Sequence, residues 1–194
     1  MIVLRTPRAL RAVLAWGTFL PLAWLSLVVP AHGQALAAAS ERSVKAAFVY
    51  KFLGYVEWPD NAFASGDAPI VVGVIGADDV AAELADIVRG RSVNNRPVEV
   101  RRLHAGDPVI GVNVLFVGAA EHARLPQIMR AAAARNVLTI TEVDDGLDLG
   151  TVINFVLVDG RVRFEVSLDA AERAGVRLSS RLLSVAHLVR MGSR

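Results

Sequence analysis

Ser184 and His187 are the residues of this 194-residue sequence whose types and spacing come closest to nucleophilic chemistry. In a helix, residues three positions apart face each other, so the imidazole could take up the hydroxyl proton as a general base. A nucleophilic serine of the G-x-S-x-G kind sits on a sharp turn after a strand, and the sequence has no such motif. We interpret both residues as ordinary surface or packing residues and keep a secreted hydrolase as an alternative.

Two acidic pairs follow apolar runs of the strand type, a position where α/β folds often hold functional carboxylates. Asp78-Asp79 follows one such run and Asp144-Asp145 follows another. Adjacent acidic residues are also common as helix caps and in turns, and Gly146 completes a turn signal after the second pair. We therefore interpret both pairs as capping and turn residues.

The sequence gives little support for a reactive thiol, a metal site or a nucleotide-binding site. The sequence has no cysteine, which excludes a thiolate metal site, thiol catalysis and a disulfide switch. The glycines at Gly73 and Gly76 do not match the G-x-G-x-x-G pattern of a dinucleotide site. The histidines beyond residue 40 show no zinc-ligand spacing, and they are His104, His122 and His187. We expect no metal and no cofactor.

The first residues have the three parts of a secretory signal peptide. Arg5, Arg8 and Arg11 form the positive part, an apolar run follows, and small residues up to position 39 offer cleavage sites. Gly17 and Pro21 interrupt the apolar run, which is short of the ~20 clean residues that a spanning helix needs. We predict that residues 1–39 are removed on export and that residues 40–194 form a single domain.

Removal of this leader changes the charge balance. The whole sequence carries 21 basic and 19 acidic residues; without the three leader arginines it has 18 basic residues and a net charge of −1. A domain with no basic excess lacks the electrostatic footprint of a nucleic-acid-binding protein, so we expect no nucleic acid partner. The remaining chain of about 155 residues is long enough for one full hydrophobic core.

The elements that would carry a site follow an alternating order. A first helix from Ser40 or Ser43 to about Val56 is apolar around most of its circumference, which is typical of a helix buried from several directions, and Pro59 ends it. β-rich runs and amphipathic helices then follow in the order β-α-β-β-α-β, which predicts a mostly parallel sheet flanked by helices. The predicted strands are 70–76, 98–103, 112–117 and 137–141, and the predicted helices are 78–88 and 125–134.

The pattern changes toward the end of the chain. Two β-rich runs, 152–158 and 162–166, flank Asp159-Gly160, a signal for a type I′ hairpin. Two helices are predicted to close the chain, the first from Asp169 and the second from Ser179 or Ser180. The side chains of the second helix that should face the core are Leu182, Val185, Ala186 and Val189. The predicted fold class is α/β: a single domain with a mostly parallel sheet flanked by helices, a C-terminal β-hairpin and two closing helices.

Arginines gather in two segments of the sequence. A solvated surface is the simpler interpretation, and electrostatic docking onto an acidic partner or an anionic membrane is the alternative. The first group is Arg89, Arg91, Arg96, Arg101 and Arg102, and the second is Arg173, Arg177, Arg181 and Arg190.

The segment Lys51-Phe52-x-x-Tyr55-Val56-x-Trp58-Pro59 resembles the start of the YfiR family. The likeness continues in order through the rest of the chain, in 70–76, 150–155, 163–175 and 178–183. The resemblance implies a non-enzymatic periplasmic protein of Gram-negative bacteria. It implies that the protein binds the periplasmic part of an inner-membrane diguanylate cyclase and represses it, which lowers cyclic di-GMP and restrains biofilm formation. Some members carry disulfides, but this cysteine-free chain cannot share any redox sensing that depends on them.

A regulator of this kind needs a binding surface, and it shifts its target only by its difference in affinity for the target's two states. The candidate partner-binding residues are Phe52, Tyr55, Trp58, Arg173, Arg177 and Arg181. The aromatic residues suit an interface or the core equally well, so the sequence leaves their role open. A homodimer is compatible with this interpretation. A small-ligand sensor with its pocket at the carboxyl ends of the strands is an alternative function.

Overall fold

A computed structural model describes residues 31–104, 106–133 and 136–192, with side chains from residue 37 onward. Most of the predicted signal peptide, residues 1–30, lies outside the described residues. The strands are β1 (Val56–Glu57), β2 (Ile70–Ile75), β3 (Ser92–Val93), β4 (Arg96–Leu103), β5 (Val114–Val117), β6 (Leu138–Thr141), β7 (Ile153–Val158), β8 (Arg161–Ser167), β9 (Arg177–Leu178) and β10 (Leu188–Arg190). The helices are α1 (Ala31–Leu53), α2 (Asp78–Val88), α3 (Leu125–Ala132), α4 (Leu168–Arg173) and α5 (Ser180–Ser184).

In this part of the chain the main sheet has eight strands in the order β10-β8-β7-β6-β5-β2-β4-β3. Strands β4, β2, β5, β6 and β7 are parallel neighbours. Strand β8 is antiparallel to β7, and β10 is parallel to β8. Strands β1 and β9 form a separate antiparallel ribbon.

Helices cover both faces of the sheet. Helices α1 and α2 pack on one face in a core cluster that includes Leu53, Val72 and Leu84, and α3 packs on the other face in a cluster that includes Val71 and Leu125. Successive strand residues point to opposite faces, so Val71 and Val72 join different clusters. Burial on both faces explains the continuous apolar runs of the central strands.

The predicted α/β class and the mostly parallel sheet are confirmed. Helix α2 spans the predicted residues 78–88, and β2 and β4 fall on predicted runs. The hairpin between β7 and β8 turns at Asp159 and Gly160, whose φ angles of 51° and 70° fit the predicted type I′ turn. From His32 onward the chain forms one compact unit.

The first helix differs from the prediction at both ends. Helix α1 begins by Ala31, inside the predicted leader, and it ends at Leu53 instead of about Val56. The backbone turns at Gly54 and Tyr55, whose amide donates to the carbonyl of Phe52 at 2.8 Å. Val56 then pairs with Leu178 of β9, so a non-local strand contact replaces the last helical turn.

The end of the chain also departs from the prediction. The second closing helix, α5, ends at Ser184, and residues 188–190 form the edge strand β10 instead of further helical turns. The amide of His187 donates to the carbonyl of Phe164, which starts the pairing of this segment with β8. Val185, predicted to face the core, is 64% exposed, whereas Leu182 is buried as expected. Helix α4 begins at Leu168, and Ser167 caps it in place of the predicted Asp169.

Candidate partner-binding surface

The β1–β9 ribbon brings together residues that are far apart in the sequence. Val56 pairs with Leu178, and Glu57 pairs with Arg177. The Glu57 carboxylate lies 3.3 Å from the Arg177 guanidinium, with side chains 69% and 85% exposed. An ion pair this exposed contributes at most about 1 kcal/mol. A charged partner could therefore separate the pair at low cost.

Tyr55 and Trp58 flank the first strand of this ribbon. Tyr55 is 39% exposed, and its carbonyl accepts a hydrogen bond of 2.9 Å from the amide of Ser179. Trp58 is half-buried, and its ring packs edge-on against Phe63 with centroids 5.9 Å apart. The Trp58 Nε1 atom is buried and has no hydrogen-bond acceptor among the described residues. Both aromatic side chains thus belong to the boundary between core and solvent.

Phe52, the third predicted aromatic residue, lies in the core. Its side chain is 1% exposed, and its ring centroid lies 4.9 Å from that of Phe164 and 5.9 Å from that of Phe155. Phe48 and Phe116 complete this cluster of five rings, which holds α1 against β5, β7 and β8. Phe52 therefore positions the ribbon, and its side chain is not available to a partner.

The three predicted arginines are all exposed but have different surroundings. Arg177 belongs to the ribbon, and Arg181 lies in the first turn of α5. Arg173 lies in the last turn of α4 and lines an apolar cleft between α3 and α4. The three arginines predicted as one group thus lie in three places: the ribbon, the start of α5 and a separate cleft.

A cleft of about 310 Å³ borders the ribbon. It is lined by both charges of the Glu57–Arg177 pair, by Trp58, and by Glu172 of α4. Gly175 closes α4 with a φ of +66°, and a Cβ atom at this position would lie 2.8 Å from the Asn136 side-chain oxygen. The glycine at the end of the helix therefore allows the chain to turn into β9.

A family model described as YfiR/HmsC-like (DUF4154) matches residues 42–187. This match covers both strands of the ribbon and most of the chain. The chain belongs to the YfiR/HmsC-like family. The family is one of periplasmic regulators of diguanylate cyclases.

Two solved structures match this YfiR/HmsC-like chain at low sequence identity. A conserved domain protein from Vibrio cholerae O1 biovar El Tor str. N16961 matches with a TM-score of 0.51 and 9% identity, over 77% of this chain and 60% of that one. The ABC domain in complex with L-Trp from Streptococcus pneumonia matches with a TM-score of 0.48 and 8% identity, over 62% of this chain and 55% of that one. This chain thus spans less than two thirds of the length of either protein.

The carboxyl edge of the sheet, where a ligand pocket was expected, is largely covered in this YfiR/HmsC-like domain, and a small cavity of about 120 Å³ lies beside the ends of β2 and β4. A Cβ atom on Gly118, after β5, would clash with the carbonyl oxygen of Gly76, after β2. The Glu142 carboxylate accepts a hydrogen bond of 3.0 Å from the Ala119 amide and one of 2.6 Å from Lys45 of α1. The two loops and α1 therefore cover the carboxyl ends of β5 and β6.

Lys45 and Glu142 are residues whose roles the sequence analysis missed. Burial opposes the charge of Lys45, but hydrogen bonds and charge attraction from Glu142 and Glu41 outweigh it and raise the pKa of the lysine. Glu41 lies one turn away on the same helix, a spacing that the sequence could have revealed. Glu142 is 97 residues away from Lys45, and no local signal links the two.

Of the polar residues considered for catalysis, Ser184 and His187 do not come together, whereas His122 and Asp145 do. Ser184 donates a hydrogen bond to the carbonyl of Arg181, and His187 lies beyond the end of α5, so the two do not share a helix. His122 contacts Asp145 at 2.9 Å on the surface. Neither residue of the Asp78-Asp79 pair caps α2 as predicted, because Ala77 holds the N-cap position without a side-chain hydrogen bond and Asp79 accepts only from the adjacent Val80 amide. No group of three or more His, Asp or Glu side chains among the described residues could hold a metal ion.

Most arginines of the first group make contacts with their own neighbours and do not form one shared docking surface. Arg96 lies over the Phe63 ring at 4.0 Å and donates to two loop carbonyls, and Arg91 lies over the Tyr50 ring at 5.6 Å. Arg89 pairs with Asp86 on α2. None of the helices among the described residues is long and apolar enough to cross a bilayer.

Proposed function

We propose that this protein is a non-enzymatic regulator that binds the periplasmic part of an inner-membrane diguanylate cyclase and represses it. Repression would lower cyclic di-GMP and restrain biofilm formation. The observation that carries the proposal is the YfiR/HmsC-like match over residues 42–187, which includes every element of the ribbon. A homodimer stays a prediction that the proposal does not require.

We further propose that the partner binds the ribbon surface, through Tyr55, Trp58 and the Glu57–Arg177 pair. Aromatic residues and arginine are enriched among residues that dominate binding energy at interfaces. Tyr55 is partly exposed, and its backbone is held in place because the neighbouring Val56 is buried and paired with β9. A surface held in place before binding loses less conformational entropy when a partner docks.

Such a surface regulates only if it binds one state of the cyclase better than the other. Each 1.4 kcal/mol of difference in binding free energy changes the ratio of the two states by about tenfold. An interface with a few dominant aromatic contacts supplies differences of this size when the partner's surface is present in one state only. The protein therefore needs no reactive group to act as a repressor.

Affinity capture from membranes tests the proposal. We expect the tagged protein, cross-linked in cells, to recover a membrane protein with a diguanylate cyclase domain. The Arg177→Glu and Tyr55→Ala variants should recover it about tenfold less well, since each removes a contact of the proposed interface. Arg89→Glu is the matched control, because it breaks an equally exposed pair with Asp86 on α2. Recovery of no cyclase by the unmodified protein would contradict the proposed function.

A further inference from the structure

A second concave site lies between α3 and α4, at the ends where β6 and β7 begin. This cleft has a volume of about 390 Å³, within the range of small-molecule sites in proteins. Its walls are mainly aliphatic and include Met129 of α3, Val137, Leu149 and Ala170 of α4. The one uncharged polar side chain among the described lining residues, Thr139, accepts a hydrogen bond of 3.1 Å from the Val152 amide, so its oxygen keeps a partner when an apolar ligand excludes water.

Two arginines from opposite walls line the same cleft. Arg130 comes from α3 and Arg173 from α4, and both side chains are exposed. Among the described residues, neither guanidinium has a carboxylate partner or a hydrogen-bond acceptor. Arg177 and Arg190 each pair with a carboxylate, whereas other exposed arginines of the described residues, such as Arg102 and Arg163, have no partner either. Arg130 and Arg173 differ from these because both line one apolar cleft. No described lining residue is acidic.

The helix ends alone do not explain this arrangement. Arg130 and Arg173 each lie in the last turn of their helix, where a cation complements the helix dipole. That interaction accounts for a basic residue on each helix, but not for an apolar cleft between them. Guanidinium groups bind carboxylates and phosphates through paired hydrogen bonds, which gives the cleft a preference for an anionic head group.

We propose that this cleft binds a small amphipathic anion, with an alkyl chain between α3 and α4 and a carboxylate or phosphate held by Arg130 and Arg173. An amino acid suits it less well, because no lining carboxylate would pair with its ammonium group. The aliphatic walls favour an alkyl chain over a large aromatic ring. The site is independent of the ribbon and of the proposed function.

Isothermal titration with decanoate, below its micelle concentration, tests the proposal on the purified protein. We expect decanoate to bind at one site, and decanol and decylammonium to bind at least about tenfold more weakly, since the charge contacts are lost or reversed. The Arg130→Gln/Arg173→Gln double variant should lose about tenfold or more in decanoate affinity. The Arg89→Gln/Arg102→Gln variant changes the net charge equally away from the cleft and should bind as the unmodified protein does.

Sedimentation with phosphatidylglycerol vesicles shows whether the anion can come from a membrane lipid. Vesicle binding that decanoate displaces and that the double variant loses would assign the head group to a lipid, and decanoate binding alone would assign it to a free amphiphile. Both results support the proposed chemistry. No decanoate binding, or equal binding by the two double variants, would overturn it, with thermal unfolding used to show that both are folded.

Discussion

Phe52 and Tyr55 are three positions apart, but their replacement by Ala should lower the free energy of unfolding by very different amounts. Phe52 is 1% exposed and packs on Phe48, Phe155 and Phe164, so truncation leaves a cavity inside the ring cluster. Removal of a buried Phe lowers the free energy of unfolding by about 3–5 kcal/mol. Tyr55 is 39% exposed in the turn after α1, and we expect its truncation to cost about 1 kcal/mol or less.

Urea denaturation followed by circular dichroism measures both values, and an unchanged slope with urea would show that the comparison is valid. Leu157→Ala, at a side chain 59% exposed on β7, is the control for loss of an exposed apolar group. Tyr55→Ala should keep its stability and lose cyclase capture, whereas Phe52→Ala should lose stability first. A cost below about 1 kcal/mol for Phe52→Ala, or equal costs for the two variants, would refute the assignment of Phe52 to the core.

Other positions allow further predictions, each measurable by urea unfolding. Gly175→Ala should cost about 1–2 kcal/mol, because an L-residue is strained at φ +66° and its Cβ would approach the Asn136 side chain. Glu142→Gln should cost about 1–3 kcal/mol at pH 7 by weakening the bond to charged Lys45. The lysine pKa is raised above its usual 10.5, so this contribution is complete below pH 10.5 and should vanish as the pH rises through the higher folded value. A difference between the two proteins that persisted unchanged at higher pH would contradict this. Asn154→Ala should cost about 2–4 kcal/mol, since it leaves three buried hydrogen bonds unmade; a cost under about 0.5 kcal/mol would contradict the network.

The parts of the fold that depend on local signals were predictable. Helix α2 follows from a periodic apolar face between acidic residues and a glycine, and the hairpin follows from Asp159-Gly160 between two β-rich runs. The central strands β2 and β5 follow from short apolar runs that suit burial on both faces. These signals act within about ten residues, so one sequence is enough to detect them.

The parts that depend on distant contacts were not predictable. Residues 188–190 become a strand because β8 offers a free edge, which no property of that segment alone reveals. The end of α1 is set by pairing of Val56 with Leu178, and Lys45 and Glu142 link α1 to the carboxyl end of β6. The α3–α4 cleft likewise joins two helices that are about 40 residues apart in the chain.

The candidate site was predictable in part for the same reason. The sequence identified Tyr55, Trp58 and Arg177 as residue types suited to an interface, and the structure places them on or beside one ribbon. The sequence could not show that Phe52 is buried and Tyr55 partly exposed, because both residues belong to the same apolar segment. Their difference arises where the helix stops and the ribbon begins.

Cyclic di-GMP in living cells tests the central claim most directly. The measurement compares a strain that lacks the gene with the same strain carrying the unmodified protein, Arg177→Glu or the control Arg89→Glu. We predict that loss of the gene raises cyclic di-GMP, that the unmodified and Arg89→Glu proteins restore the low level, and that Arg177→Glu, present at equal abundance, does not. An unchanged cyclic di-GMP level in the strain without the gene would contradict the claim that this protein represses a diguanylate cyclase.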